Sequence, residues 1–169
     1  MTGMDKRHLK NIPYIVLAAS LIVMYGTPLG IPGIAQYWDG FKLLDMQLYY
    51  NLEAVADLLS HLSAAGIRHY LYYFAVDFCF IMALAAVQLR LSGWASSGNR
   101  RAYHFLAAFV LGRALFDLME DALLSLIFTE KLTISTVPAA SAATSLKFLC
   151  LFLWLITAVI CTVKKRGRT

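Results

Sequence analysis

The sequence predicts an all-α, integral membrane four-helix bundle, N-in and C-in, with an extracytoplasmic amphipathic helix between its first and second spans. Three observations predict it. The chain of 169 residues is 60% hydrophobic and only 15% charged, with mean hydropathy +0.64. A soluble domain averages about 45–50% apolar and about 25% charged. Four apolar stretches, near 12–29, 67–91, 102–128 and 139–163, are each long enough, at about 1.5 Å per residue, to cover the roughly 30 Å hydrocarbon core. Positive charge flanks those stretches: Lys6, Arg7 and Lys10 in the head, Arg90 at the end of the second span with Arg100 and Arg101 in the second linker, and Lys164, Lys165, Arg166 and Arg168 in the tail. Basic linkers stay cytoplasmic, so both termini face inward and the segment 30–66 faces outward. That segment is acidic, with Asp39, Asp45, Glu53 and Asp57 against Lys42 alone.

The length suits one transmembrane domain. The net charge of +5 resides in the membrane anchors and not on a separable basic and aromatic face, which excludes a nucleic-acid partner. Cys79, Cys150 and Cys161 lie within apolar segments without a close pair, which excludes a thiol oxidoreductase that needs one.

Taken in order, residues 1–11 are a basic head, and the first span follows with Pro13 in its first turn, where proline is tolerated. A secretory signal begins in the same way, but the apolar run is longer than its usual core. No small-x-small site closes it before Tyr25-Gly26-Thr27-Pro28, so it reads as a retained helix. Gly30, Pro32 and Gly33 break it. Asn51 can cap a short helix with Leu52, Val55, Leu59 and Leu62 on one stripe, ended by Gly66 and lying on the membrane or over the bundle mouth. Tyr37, Trp38, Tyr49, Tyr50 and the cluster Tyr70, Tyr72, Tyr73 suit the interfacial belt. The second span carries Asp77. The linker 92–101 is short and small-residue-rich, the third span follows, a tight turn at Glu130 and Lys131 leads through Pro138, and the fourth span carries Lys147.

The third span is where chemistry concentrates. Arg113, Asp117, Glu120 and Asp121 sit in an otherwise apolar run. An ionisable residue at membrane depth costs about 2.5–3.5 kcal/mol on insertion scales and is tolerated where it meets partners or water. At about 100° per residue Arg113, Asp117, Glu120 and Leu124 form one stripe with Asp121 on its shoulder, so the stripe faces the bundle. Depth counting puts Asp77, Asp117, Glu120, Asp121 and Lys147 in one layer, with Arg113 nearer the middle of the membrane. Tyr70 and Tyr73 line the path above Asp77, and Ser141 and Thr144 the path above Lys147. Four carboxyls against Arg113 and Lys147 cannot all be neutralised by pairing, so one of them carries a proton or reaches water. The same residues also read as register-fixing pairs, Arg113 with Asp117 and Lys147 with Glu120. Asp45 reads as a solvent-side turn or cap residue. His61 and His69 lie near the mouth, His8 in the head and His104 at an interface; no two are spaced as metal ligands, and no metal or other cofactor is expected.

The order LLDxxxxY (Leu43 to Tyr50), a short amphipathic helix, GxxxYL (Gly66 to Leu71), an Asp in the second span, FDxxE (Phe116 to Glu120) and a Lys early in the fourth span resembles a family of bacterial four-helix inner-membrane proteins without an assigned activity. That resemblance covers the chain from Leu43 to Lys147, implies the same architecture in an inner membrane, and picks out Asp117, Glu120 and Lys147. Asp121 stands where the family often has Asn, and Phe148 where it often has Trp.

These residues lead to the expectation of a membrane protein whose buried acidic and basic seam binds a lipid-like or polar small molecule, with proton exchange at the carboxyls. Two alternatives stand beside it: a lipid-modifying enzyme with Asp117 or Glu120 as acid–base residue, and an assembly protein with structural ion pairs only. Whether the chain is an enzyme stays open, because no nucleophile, metal or phosphate motif is present. Membrane lipids are the expected partners, and a carrier of only four helices suggests a homodimer.

Overall fold

The computed structural model describes residues 3–38, 40–131 and 133–166. Asp39 and Arg168, counted above among the topological charges, lie outside the described residues, as do the side chains of Lys6, Arg7, His8 and Arg166. The described chain is helical, in the order α1 (Gly3–Gly26), α2 (Ile31–Ala35), α3 (Leu52–His61), α4 (Ala64–Ser96), α5 (Arg100–Phe128), a 3-10 turn (Ile134–Thr136) and α6 (Val137–Arg166). Four helical segments are long and apolar enough to cross a membrane: Lys10–Ala35, Ala64–Ser96, Arg100–Phe128 and Ile134–Lys165. This is the arrangement of a multi-pass membrane protein.

Each of the four long helices begins before the apolar run that announces it, α4 and α6 also end beyond it, and α1 stops short of the end of its run, at Gly26. α4, with 33 residues, is about 50 Å long and outreaches the hydrocarbon layer. α1 starts at Gly3, so Pro13 lies inside the helix and not in its first turn, where it removes one backbone hydrogen bond. Hydropathy marks the part that must sit in lipid; the helix continues into the polar head because backbone hydrogen bonding favours it there too.

The segment between α1 and α4 differs most from its expected form. Thr27 caps the end of α1 by donating to the Val23 carbonyl at 2.8 Å, and the chain turns back at once into α2. Gly33 allows that turn, since a Cβ there would fall 1.7 Å from the Pro28 carbonyl oxygen. Asn51 does cap α3, accepting from the Ala54 amide at 2.9 Å. The buried face is Val55, Leu58 and Leu62, with Leu59 half-buried and Leu52 exposed. Gly66 does not end α3. The helix stops at His61, Leu62 is extended, and Ser63 caps α4 by accepting from the Gly66 amide at 3.3 Å. Gly66 sits within the first turn of α4, where a Cβ would come within 3.1 Å of Leu62 and 3.3 Å of Tyr37.

α5 is the centre of the bundle, packed on α4 and most extensively on α6; α1 packs chiefly on α4. The α5–α6 approach is close at Gly112, where a Cβ would stand 3.2 Å from Cys150 Sγ. Two apolar clusters fill the interior. One, at the α3 end, includes Leu44, Val55, Leu58, Tyr70, Phe74, Leu124, Phe128 and Val137. The other, toward the far end, includes Ile81, Ala85, Leu106, Val110, Ala114 and Trp154. Between them lies a layer of buried polar side chains.

Candidate functional site

The helical stripe of α5 points inward. Arg113, Asp117, Glu120, Asp121 and Leu124 are all buried, with Glu120 and Leu124 at 0% exposure. Asp77 of α4 and Lys147 of α6 are buried in the same layer. The structure therefore gathers the predicted charged residues of three helices into one place.

They fall into two groups. Arg113 Nη1 donates to Asp117 Oδ2 at 2.8 Å, and Lys147 Nζ donates to Asp117 Oδ1 at 2.6 Å. Lys147 Nζ also stands 2.7 Å from Glu120 Oε2. The second Arg113 nitrogen, Nη2, donates to the Ile81 carbonyl at 3.1 Å, tying α5 to α4. Thr144 and Tyr50 donate their hydroxyls to Glu120 Oε1 at 2.5 and 3.2 Å. Two cations and two carboxylates thus form a neutral network in which nearly every charge has direct partners, as buried ions require. Asp77, Asp121 and Asp45 remain without an ion-pair partner among the described residues.

Asp45 is the correction of greatest consequence. It was expected at a solvent-side turn, yet it is 3% exposed and accepts from the Tyr73 hydroxyl at 2.7 Å. It belongs to a strap, residues 43–50, that crosses the bundle end beneath α3. Tyr70 donates to no carboxylate there; its hydroxyl oxygen accepts the Leu44 amide at 3.0 Å. Ser141 Oγ accepts the Tyr50 amide at 3.1 Å, and Ser145 donates to the Leu48 carbonyl at 2.9 Å. Irregular backbone inside a bundle needs such partners, because each buried amide or carbonyl left alone is costly. Tyr50, Tyr70 and Tyr73 therefore do not form an interfacial belt. They are buried, and they hold the strap. Tyr49 and Tyr72 are exposed.

Burial raises the Asp45 carboxyl above its ordinary value, with the nearby Lys147 ammonium and the Tyr73 hydrogen bond opposing the rise. Burial likewise pushes the Tyr50 phenol up, reinforced by the negative charge of Glu120.

A cavity of about 190 Å³ opens beside the charged layer. Asp45, Asp77, Asp117, Arg113 and Lys147 form its polar wall. Its apolar wall comes from α1 (Leu21, Met24, Tyr25), from α4 (Phe80, Leu84) and from α6 (Phe148, Leu151). The lining residues left exposed are Leu21 and Tyr25 of α1 and Met46 of the segment 43–50, with Phe148 and Leu151 of α6 half-buried, so the rim is on the flank where α1, that segment and α6 meet. Of the residues singled out from the sequence, Asp77, Arg113, Asp117, Lys147 and Tyr73 reach the cavity wall. Glu120, Asp121 and Tyr70 lie behind it. Phe148 and Leu151 are shared with an apolar surface groove on α6 lined by Leu48, Leu149, Phe152 and Leu155.

Asp45 could have been found from the sequence through its place in LLDxxxxY, which sets it five residues before Tyr50; hydropathy carries no signal of it. A second polar contact also went unforeseen. Trp154 Nε1 donates to Ser92 Oγ at 2.9 Å, linking α6 to α4 at the far end. His61 stacks on Trp38 with ring centroids 4.7 Å apart, and His69 lies against Tyr37. Cys79, Cys150 and Cys161 are free thiols. Comparison with protein-family models, curated proteins and solved structures returns no match.

Proposed function

We propose that this chain binds a membrane amphiphile through its polar headgroup, in the flank cavity between α1 and α6. The observation that carries the reading is the cavity itself: one charged wall, one apolar wall, and an exposed rim at the side of the bundle. A cavity of about 190 Å³ is below the 300–1,000 Å³ of a drug-sized site, so it suits a headgroup whose chain stays outside. The continuous groove along α6 supplies a place for that chain.

The two halves of the polar layer have different roles in this reading. Arg113, Asp117, Glu120 and Lys147 neutralise one another and hold α4, α5 and α6 in register. Asp45 and Asp77 face the cavity and contact the ligand. The protein lies in a cell membrane, an inner membrane as the resemblance above implies, with both termini cytoplasmic and α3 outside, following the distribution of Lys and Arg.

The test is native mass spectrometry with lipid identification on purified full-length protein, wild type beside Asp77→Asn. A specific co-purifying molecule in the wild type, depleted at least tenfold in the variant at equal thermal stability, is the expected result. If the two proteins carry the same unselective lipids, the cavity is not a ligand site.

A further inference from the structure

Asp121 is the one buried charge of the layer that the neutral network and the cavity wall both leave unused. It is 7% exposed, and neither of its carboxyl oxygens receives a hydrogen bond. Its neighbour across the α4–α5 interface is Asp77, whose side chain lies within hydrogen-bonding reach of it. Two ionised carboxylates have no proton with which to bond, and side by side in a dry interior they cannot both ionise. One proton shared between them would satisfy such a contact. Asp77 is also exposed to the cavity on its other side, which gives that proton a way out.

Around the pair, every packed element offers a group of defined charge. α5 brings Arg113 and Asp117, which pair with each other, and α6 brings Lys147, already committed to Asp117 and Glu120. α4 brings Tyr73 and the strap brings Asp45, which bond to each other. α1 brings Tyr25 at the rim. Among the described residues no cation is left over for Asp77 and Asp121, and Asp45 Oδ1 likewise receives no hydrogen bond. The vacancy in the electrostatics is for positive charge. The aromatic rings on the cavity wall, Tyr25, Tyr73, Phe80 and Phe148, are the surface on which an ammonium group gains further attraction.

We propose that Asp77 and Asp121 share a single proton in the empty protein and that the ligand is a cationic, ammonium-type amphiphile which displaces it. This rests on the reading of the cavity as a headgroup site and names its ligand class. The ammonium enters from the flank and settles beside Asp77. The O–H bond of the shared proton breaks, and the proton leaves through the cavity to water. One positive charge enters and one departs, so the net charge of the layer is unchanged, no bond of the ligand is altered, and no oxidant or co-reactant is needed. The chain is then a site of cation-for-proton exchange.

The test uses the full chain in nanodiscs of zwitterionic lipid, titrated with dodecyltrimethylammonium as probe and 1-dodecanol as its uncharged counterpart. Calorimetry in buffers of different ionisation enthalpy counts protons. The expected result is saturable binding of the cation with release of about one proton per bound molecule, and affinity falling about tenfold for each unit of acidification while the pair is protonated. Asp121→Asn should still bind the cation and release none. Difference infrared spectroscopy on the wild type alone should show a protonated-carboxyl band that bleaches on binding, which decides the matter even if the variant does not fold. Saturable binding without proton release or bleaching overturns the exchange and leaves the headgroup site standing. Binding that never saturates, or that is unchanged in Asp77→Asn, removes the headgroup site and the exchange with it.

Discussion

At the scale of single residues, the lesson is how charges are partitioned. Asp117 sits between Arg113 and Lys147 with both oxygens engaged, whereas Asp121, only four residues further along the same helix, receives no hydrogen bond from a basic or hydroxyl side chain among the described residues. The difference lies in which neighbour each faces: Asp117 meets the cations of its own turn and of α6, and Asp121 meets α4, which brings another carboxylate. Asp45 gives a pH test that needs no ligand. Its folded-state value is raised by burial, so folding favours the protonated form. The stability it contributes is complete below its unfolded value near 3.8 and is lost as pH rises through the raised folded value. Wild-type melting temperature should therefore fall with rising pH above that point more steeply than that of Asp45→Asn, whose amide cannot ionise. Parallel slopes in the two proteins would show that Asp45 does not titrate with folding.

Among elements, α5 carries the design, because it meets both α4 and α6 and supplies four of the buried charges. Its approach to α6 depends on Gly112, opposite Cys150. Small residues at such crossings let backbones close to van der Waals distance, the main attraction between helices in lipid. Gly112→Val overpacks this contact and should destabilise the fold by about 1–3 kcal/mol, read as a lowered melting temperature. Adding Cys150→Ala vacates the space and should restore much of the loss. Additive losses in the double variant would mean that Gly112 matters through the helix backbone and not through this crossing. The strap is the other element of consequence. Leu44, Asp45, Leu48 and Tyr50 are bound to side chains of α4 and α6, and together with α3 they close the α3 end of the bundle, leaving the flank as the exposed approach to the charged layer.

At the scale of the molecule, two apolar clusters enclose a polar layer, and the helices that carry it outreach the hydrocarbon core at their ends. The proposed orientation rests on the basic clusters at Lys10, Arg90 with Arg100 and Arg101, and Lys164 with Lys165. Green fluorescent protein fused to either terminus should fluoresce in the cytoplasm. A cysteine at exposed Glu53 of α3, in a background without native cysteines, should react with a membrane-impermeant maleimide added outside intact cells. Labelling only after lysis would invert the topology. Orientation also decides the direction of any exchange, since the strap and α3 then cover the outer end.

Much of this architecture was legible in the sequence by itself. The four spans, the Asn51 cap, the inward stripe of α5 and the pairing of Arg113 with Asp117 all follow from periodicity, hydropathy and local capping chemistry, which act over a few residues. Helix ends were misplaced: α1 begins at Gly3, nine residues before the apolar run, because helical hydrogen bonding continues past the point where hydropathy falls, and α3 stops at His61 and not at Gly66, because Ser63 caps the start of α4. What only the tertiary structure decided involves residues far apart in the chain. The Leu44 amide meets the Tyr70 hydroxyl 26 residues on, and the Tyr50 amide meets Ser141 91 residues on. Those contacts bury Asp45 and turn three tyrosines from an interfacial belt into a clasp. The division of the charged layer into a neutral network and an unmatched pair arises in the same way. A residue's type announces that it needs a partner, but which partner it receives depends on how three helices and a strap meet in space.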